Sequence, residues 1–279
     1  MKARKECYDC LERLLRQAAG LATSVPDIRS RVIDEGLLLL EREFSTEKTT
    51  IVVATLIHRL VRSLTGNADP YRSVKEAELE VAEGFKQDLG GGIEGDLRKC
   101  IVFSVRGNNI DFFKDIEYIK DEMKGPVEFA IDDTEKMEEK LGEAGNILFL
   151  ADNAGEVPFD IPLVNTMAIY APVTYVVKES PVQDDITIGD LKRYGMLEAL
   201  PRVITTGTDT PGVDMDMAST EFRDEFDNAD LVLAKGMGYW ETLTELDVSG
   251  KVFYLLKAKC RPVADSLGVA LNSYVAYLR

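Results

Sequence analysis

The most informative part of this chain is residues 146–160, where a short apolar run ends in oxygen-bearing side chains. Ile147 to Ala151 are apolar, and Asp152, Asn153 and Glu156 follow closely. A short apolar run bounded by polar residues is typical of a buried strand in a parallel sheet. Polar groups at the carboxyl end of such a strand lie where open α/β sheets bind ligands. A carboxylate beside an amide oxygen offers the hard oxygen ligands that divalent cations prefer.

Two further predicted strands in the second half of the chain end in polar side chains. One strand, Thr174 to Lys178, opens a loop at residues 179–190, and another, Leu231 to Ala234, precedes Lys235 and Gly236. The loop contains three aspartates: Asp184, Asp185 and Asp190. Carboxylates and amides collected at one sheet edge would hold a cation, whereas Lys235 and loop N–H groups would hold an anion. The combination favours a metal-bridged phosphate as the ligand.

Each of these residues also has an ordinary structural interpretation. Asp152 and Asn153 are favoured at helix N-termini, the aspartates of the 179–190 loop are common turn residues, and Lys235 could be a surface lysine. His58 is the one histidine of the chain and falls in an amphipathic helical pattern, which favours a structural role. A single histidine disfavours both a Ser–His–Asp triad and a histidine-rich metal centre. The candidate chemistry that remains is that of carboxylate, amide and lysine side chains.

Composition and charge narrow the class of protein. The chain has 279 residues and 45% hydrophobic residues, which predicts a folded globular protein with two structural units. A formal net charge of -16 disfavours a general nucleic-acid surface, which would show clustered Lys and Arg. The first residues lack the apolar segment of a secretory signal, and no apolar run is long enough to span a membrane. We therefore expect a cytoplasmic protein without nucleic-acid or membrane partners.

The chain has four cysteines: Cys7, Cys10, Cys100 and Cys260. Without a secretory context, they are expected to be thiols rather than disulfides. Cys7 and Cys10 open a helical pattern and would share one helix face, but the second close pair that a structural zinc site needs is absent. Structural thiols are the favoured interpretation, and a metal or redox role is the alternative.

The hydrophobic pattern divides the chain into a helical part and a part in which strands and helices alternate. Helical periodicity runs through the first hundred residues, and β-α alternation from Pro126 onward predicts a mostly parallel sheet with helices on both faces. The predicted fold class is α/β, with an all-helical N-terminal domain at residues 1–98 and a three-layer α/β/α Rossmann-like domain at residues 99–279. The match to a dinucleotide fingerprint at Gly90-x-Gly92-x-x-Gly95 follows a charged helix rather than a strand, so it predicts an interhelical loop.

Taken in order, these motifs resemble those of the damage-control phosphatase family, also known as domain of unknown function eighty-nine. The matching segments cover nearly the whole chain: Cys7-Tyr-Asp-Cys10, Thr65 to Tyr71, Gly107 to Asp111, Asp152 to Glu156, Pro181 to Asp190, Lys235 to Gly238 with Glu241, and Lys257 to Cys260. The N-terminal Cys-x-x-Cys resembles the compact archaeal and bacterial branch of the family.

The resemblance implies a metal-dependent phosphatase that acts on small phosphorylated metabolites, such as sugar phosphates or damaged phosphometabolites. It implies that Asp152, Asn153 and Asp190 bind one divalent cation, either magnesium, manganese, cobalt or nickel. Catalytic roles are expected for Asp152, Glu156 and Lys235. A metal-bound or carboxylate-oriented water is the preferred nucleophile, with Glu156 as the candidate to position it. Direct attack by an aspartate is the less favoured variant. The substrate is expected to contact five residues: Asn108, Asp111, Asp185, Lys235 and Gly236.

The chain departs from the family's pattern near the predicted pocket. Asp184 and Lys178 stand where the family usually has Asn and Arg, and Tyr239 followed by Trp240 stands where it usually has Asn. The three expected metal ligands are intact, so these departures bear on the choice of substrate rather than on the metal.

Two other functions stay open at this point. One is carboxyl methylation with S-adenosylmethionine, although no glycine-rich loop after a strand clearly fits that cofactor. The other is binding of a metabolite or nucleotide without catalysis.

Overall fold

The computed structural model describes residues 1–89, 91–110, 116–248 and 250–279. The helices within these residues are α1 (Cys7–Ala22), α2 (Pro26–Glu43), α3 (Thr50–Thr65), α4 (Arg72–Leu89), α5 (Leu97–Arg106), α6 (Ile116–Lys124), α7 (Thr134–Glu143), α8 (Val157–Met167), α9 (Ile188–Arg193), α10 (Thr220–Asn228), α11 (Gly236–Leu243) and α12 (Arg261–Leu267). The strands are β1 (Phe129–Asp132), β2 (Ile147–Leu150), β3 (Val173–Val177), β4 (Arg202–Thr205), β5 (Leu231–Lys235), β6 (Val252–Lys257) and β7 (Tyr274–Leu278). The predicted α/β class and the helical N-terminal region are confirmed.

The first three helices form a hydrophobic core of their own. Each presents an apolar face at helical spacing, and on α1 that face consists of Leu11, Leu15 and Ala18, which are all buried. Tyr71, which directly precedes α4, packs in the same core. α3 ends at Gly66, whose backbone is left-handed with a φ of 70°. Glycine adopts this conformation without a steric penalty, so it terminates the helix there.

The strands form one sheet in the order β1-β7-β6-β5-β2-β3-β4. Five neighbouring strands, from β6 to β4, are parallel, whereas β7 runs antiparallel to β6 and pairs in parallel with β1. The residues of β2, β3, β5 and β6 are buried throughout, as expected for strands covered by helices on both faces. The chain moves outward from β2 to β4 and then returns to β5 on the other side of β2. The strand order therefore reverses between β2 and β5.

Helices cover both faces of the sheet. α4 to α9 pack with one face through residues such as Phe103, Phe159 and Phe149, and α10 to α12 pack with the other through residues such as Phe222 and Tyr239. α4 contributes Leu79, Ala82 and Phe85 to the core beneath the sheet, although it precedes the strands in sequence. The division of the chain at residue 98 stays a prediction.

The glycine-rich segment after α4 lies where an interhelical loop is predicted. Its described residues, 91–96, form turns between α4 and α5, and Gly90 lies outside the described residues. A helix, α4, precedes the segment, so it lacks the strand that a dinucleotide site requires. Among the described helices, none has the length and apolar character needed to cross a membrane.

Two arginines of α3 bind one aspartate in the loop after β4, and this contact fastens the N-terminal helices to the sheet. Arg59 Nε lies 3.0 Å from Asp209 Oδ2. Arg62 pairs with the same carboxylate and also donates to the carbonyl of Pro181. Burial alone would raise the pKa of Asp209, but its hydrogen bonds to the two guanidinium groups lower that pKa to about 2.

We expect Asp209→Asn to lower the free energy of unfolding by about 1–3 kcal/mol at pH 7, because two partly buried guanidinium groups lose their anionic partner. The folded-state pKa is depressed, so the stabilisation is complete well above pH 3.8 and is lost as the pH falls toward 2. Denaturant unfolding of both proteins at pH 7 and pH 3 measures the effect. The stability difference should shrink at the lower pH, and an equal difference at both values would contradict this account.

Candidate active site

The carboxyl ends of β2, β3 and β5 bring three sequence-distant residues into one row. The register pairs the last residue of β2 with corresponding residues of β3 and β5. Leu150 pairs with Val176 of β3 and with Ala234 of β5. Two residues further along each segment, Asp152 therefore lies between Lys178 and Gly236. Gly236 has a φ of 76°, and a Cβ placed there would lie 1.7 Å from Asp152 Oδ2. The carboxylate of Asp152 thus occupies space that only a glycine leaves open, at the point where the strand order reverses.

The loop between β3 and α9 folds back onto the residues that follow β2. The Ile186 N–H donates to the carbonyl of Asp152 (3.0 Å), and the Ala154 N–H donates to the carbonyl of Asp184 (2.8 Å). Residues 153 and 185 form a single antiparallel bridge between the two segments. These backbone bonds bring Asp185 into the electrostatic environment of Asp152.

Three carboxylates of this region are each paired with a fully buried lysine. The pairs are Lys75 with Asp190 (2.9 Å), Lys178 with Asp185 (3.4 Å) and Lys235 with Glu156 (2.8 Å). Asp152 differs, because no lysine or arginine among the described residues forms an ion pair with it. Burial raises the pKa of Asp152 well above its ordinary value, and the carboxylates of Glu156 and Asp185 raise that pKa further, although the positive charge of Lys178 lowers it by a smaller amount. Asp152 therefore sits in excess negative charge.

Accessibility separates Asp152 and Asn153 from the rest of the site. Both are partly exposed, whereas Glu156, Asp185 and Asp190 are buried. Burial also raises the pKa of Asp185, to about 7, even though Lys178 lowers it. A ligand that approaches the sheet edge would meet Asp152 and Asn153 first.

Lys235 is fully buried, and its ammonium group is surrounded by hydrogen-bond acceptors. Besides Glu156, its Nζ lies 2.7 Å from Asp160 Oδ1, 3.0 Å from Ser104 Oγ and 3.1 Å from the Ser104 carbonyl. Burial alone would lower the pKa of Lys235, but the two carboxylates outweigh burial and raise it, so the lysine stays protonated. The direct contact predicted between Lys235 and a substrate phosphate stays a prediction. What the geometry provides is a charge partner for Glu156.

Glu156 is held from three sides. Asn108 Nδ2 donates to its Oε2, and Asn153 Nδ2 lies 3.4 Å from its Oε1. Asn108 is itself fixed, because its Oδ1 accepts from the Lys257 N–H at 3.0 Å. Gly107 packs against Glu156, since a Cβ there would lie 3.3 Å from the glutamate's Cα, Cβ and Cγ. Among the described residues, Glu156 Oε1 accepts one long hydrogen bond, from Asn153, so it is less constrained than Oε2.

The sequence and the fold both match one family. A model of the damage-control phosphatase ARMT1-like domain matches residues 3–275, nearly the whole chain. This chain belongs to that family.

Relatives and a solved structure agree with the family assignment. The damage-control phosphatases of Pyrococcus horikoshii and Archaeoglobus fulgidus are 34% and 32% identical to this chain, which they cover to 99% each, and the matches span 97% and 99% of those proteins. A protein of Methanocaldococcus jannaschii is 32% identical over 100% of this chain and 96% of its own length. The crystal structure of a DUF89 family protein from Pyrococcus horikoshii superposes with a TM-score of 0.89 at 33% identity, covering 100% of this chain and 99% of that one.

In this damage-control phosphatase family member, the predicted cation ligands occupy two adjoining segments. Asp152 and Asn153 follow β2, and Asp190 lies in the first turn of α9, at the end of the loop that folds onto them. No three His, Cys, Asp or Glu side chains among the described residues form a ready ligand set. The predicted set has two carboxylates and one amide, a number that suits a cation retaining several waters. The predicted substrate contact Asp111 lies outside the described residues.

Three buried charged residues of the site are not predicted from the sequence: Lys75, Glu78 and Asp160. The helical spacing contains the signal that would have found two of them, because Lys75 and Glu78 continue the face of α4 that carries Ala82 and Phe85. Asp160 follows Glu156 by four residues, so the two carboxylates share a face of the turn that enters α8. Charged residues in register with an apolar stripe indicate a buried ionic site rather than a solvated face.

Proposed function

We propose that this protein is a metal-dependent phosphomonoester hydrolase that acts on small phosphorylated metabolites, such as sugar phosphates or damaged phosphometabolites. The proposal rests on the carboxylate of Asp152. It is partly exposed, lies against Gly236 where the strand order reverses, and has no ion-pair partner among the described lysines and arginines. A divalent cation is the partner that suits such a carboxylate. Membership of the damage-control phosphatase family supports the phosphatase reaction.

Asp152, Asn153 and Asp190 would hold the cation. The amide NH2 of Asn153 is turned toward Glu156. The carbonyl oxygen of the Asn153 side chain is therefore left to act as a ligand for the cation. The cradle at Gly236 leaves room for the Asp152 carboxylate, and the donor set of two carboxylates and one amide fits a hard divalent cation. When bound, such a cation offsets the charge that develops on a phosphoryl oxygen as the ester bond breaks.

Glu156 would orient the attacking water. The Glu156 Oε1 would accept a proton from that water while the water oxygen bonds to phosphorus and the bond from phosphorus to the ester oxygen breaks. The departing ester oxygen would take a proton from solvent to form the alcohol, and Glu156 would return its proton to solvent. The ammonium of Lys235 balances the charge of Glu156 and keeps it fixed against Asn108. The N–H of Gly236 and the side chain of Asp185 complete the predicted substrate contacts, and Lys178 adds positive charge beside Asp185. In-line attack with fixed groups of this kind is the usual arrangement for phosphoryl transfer.

Hydrolysis of p-nitrophenyl phosphate tests the proposal. We expect EDTA to lower the rate at least about tenfold, because cation charge supplies several kcal/mol of transition-state stabilisation. Addition of Mg²⁺, Mn²⁺, Co²⁺ or Ni²⁺ in excess of EDTA should restore the rate. The control is the same assay in metal-free buffer, to which EDTA is added first and each metal is then titrated back. A rate that EDTA leaves unchanged would refute metal dependence.

Thermal unfolding with added ligands separates the phosphatase from the two alternatives. Stabilisation by divalent cations and by phosphosugars is expected for a phosphatase, because a ligand that binds only the folded state raises its melting temperature. Stabilisation by S-adenosylmethionine alone would favour the methyltransferase. Stabilisation by a metabolite without any turnover would favour a binding protein.

A further inference from the structure

Lys75 reaches the candidate site from outside the sheet. It lies on α4, which precedes every strand in the sequence, and its side chain has 0% relative exposure. Its Nζ lies 2.9 Å from Asp190 Oδ2 and 3.1 Å from Asp69 Oδ2. Burying an ammonium group is costly unless it is paired, and two carboxylates provide that pairing here. One lysine thus joins the turn before α4 to the first turn of α9.

The two oxygens of Asp190 are in different environments. Oδ2 accepts from the Thr187 N–H at 3.2 Å, from the Thr187 hydroxyl at 2.7 Å and from Lys75. Oδ1 has one charged neighbour among the described residues, Arg193, at 3.8 Å, which is beyond hydrogen-bond distance. The three donors therefore fix the carboxylate by one oxygen and leave the other free to bind a ligand.

We infer that Lys75 is a positioning residue of the metal site, and this inference rests on the proposed function. Lys75 holds Oδ2 so that Oδ1 of Asp190 faces the cation, in the manner of the outer partners that orient metal ligands. Two other roles predict different results. A lysine that only repels the cation would make cation binding tighter when removed. A lysine that only joins α4 to α9 would change stability and leave cation affinity unchanged.

Calorimetric titration of the metal-free protein with Mn²⁺ distinguishes these roles. We expect Lys75→Met to weaken Mn²⁺ binding by about 10- to 100-fold, the range found when an outer partner of a metal ligand is removed. Asp69→Asn removes the other partner of Lys75 and leaves its contact with Asp190, so it should lower the melting temperature but keep the affinity within about threefold of wild type. Lys86→Met, at a partly exposed position of the same helix whose ion pair among the described residues is with Glu83, should change neither the melting temperature nor the affinity.

Each result decides the matter. Mn²⁺ binding to Lys75→Met that is equal to or tighter than wild type overturns the positioning role. If Lys75→Met does not fold, Lys75→Arg replaces it, because the planar guanidinium keeps the charge but cannot take the same position between Asp69 and Asp190. We expect weaker binding for that variant, and unchanged or tighter binding again overturns the inference. If wild type itself fails to bind Mn²⁺, Mg²⁺, Co²⁺ and Ni²⁺, the metal-dependent function fails first and Lys75 loses its proposed role with it.

Discussion

Asp152→Ala should lower the rate of phosphate ester hydrolysis at least about 10³-fold, a loss of about 4 kcal/mol of transition-state stabilisation. The same change should raise the melting temperature of the metal-free protein at pH 7. Under the proposed function, the rate would fall because the cation would lose a carboxylate ligand. The stability would rise because burial and the negative charges of Glu156 and Asp185 destabilise the Asp152 carboxylate, which forms no ion pair with a described lysine or arginine.

The pH dependence of stability explains why Asp152→Ala should raise, rather than lower, the melting temperature of the metal-free protein. Burial and neighbouring carboxylates raise the folded-state pKa of Asp152 above 3.8, so the folded protein binds a proton that the unfolded chain releases. Wild-type stability without metal should therefore decline as the pH rises above 4, and this part of the decline should disappear in Asp152→Ala. Thermal unfolding in EDTA between pH 4 and pH 8 measures both.

Asp224→Ala is the matched control, since this aspartate is exposed on α10. α10 packs on the face of the sheet opposite to α4 and α8. This variant should change neither the rate nor the effect of pH. Mn²⁺ should raise the melting temperature of wild type and of Asp224→Ala, but not of Asp152→Ala. Turnover by Asp152→Ala within tenfold of wild type would remove the aspartate from the proposed mechanism.

Much of the sheet could be predicted because its strands are short apolar runs that end abruptly. Residues 147–151 and 231–234 are buried, and an uninterrupted apolar run identifies such strands. Parallel strands share a carboxyl edge, so the polar residues after them could be assigned to one edge without coordinates. The sequence pattern does not predict β7, because this strand is partly exposed and depends on pairing with β6.

The pairing of charges within the site could not be predicted, because it depends on contacts between residues far apart in sequence. Lys75 and Asp190 are 115 positions apart, and Lys235 and Asp160 are 75 positions apart. The sequence predicts that Lys235 contacts a phosphate, but no pattern in it indicates that Ser104, Glu156 and Asp160 surround this lysine. Spacing predicts which face of an element a residue occupies, but only the packing of α4, α5 and α8 against the sheet brings these partners together.

Gly236→Ala should lower the rate of phosphate ester hydrolysis about 10²-fold, a smaller loss than that expected for Asp152→Ala. A Cβ at this position would lie 1.7 Å from Asp152 Oδ2 and 2.4 Å from its Cγ, so Asp152 must move by more than an ångström. A displacement of that size can cost about 10²-fold in rate. The φ of 76° adds strain, since an L-residue adopts it at a cost of about 1–3 kcal/mol.

Gly268→Ala is the control that distinguishes displacement of the Asp152 carboxylate from backbone strain at a left-handed position. Gly268 also has a left-handed backbone, with a φ of 69°, but a Cβ there would meet nothing within 4 Å. Both variants should unfold at lower temperature, whereas only Gly236→Ala should lose turnover and Mn²⁺ affinity, measured by p-nitrophenyl phosphate hydrolysis and calorimetry. If the two variants lost activity equally, backbone strain rather than the position of Asp152 would control the site. If Gly236→Ala retained full activity, the contact between Gly236 and the Asp152 carboxylate would have no part in the reaction.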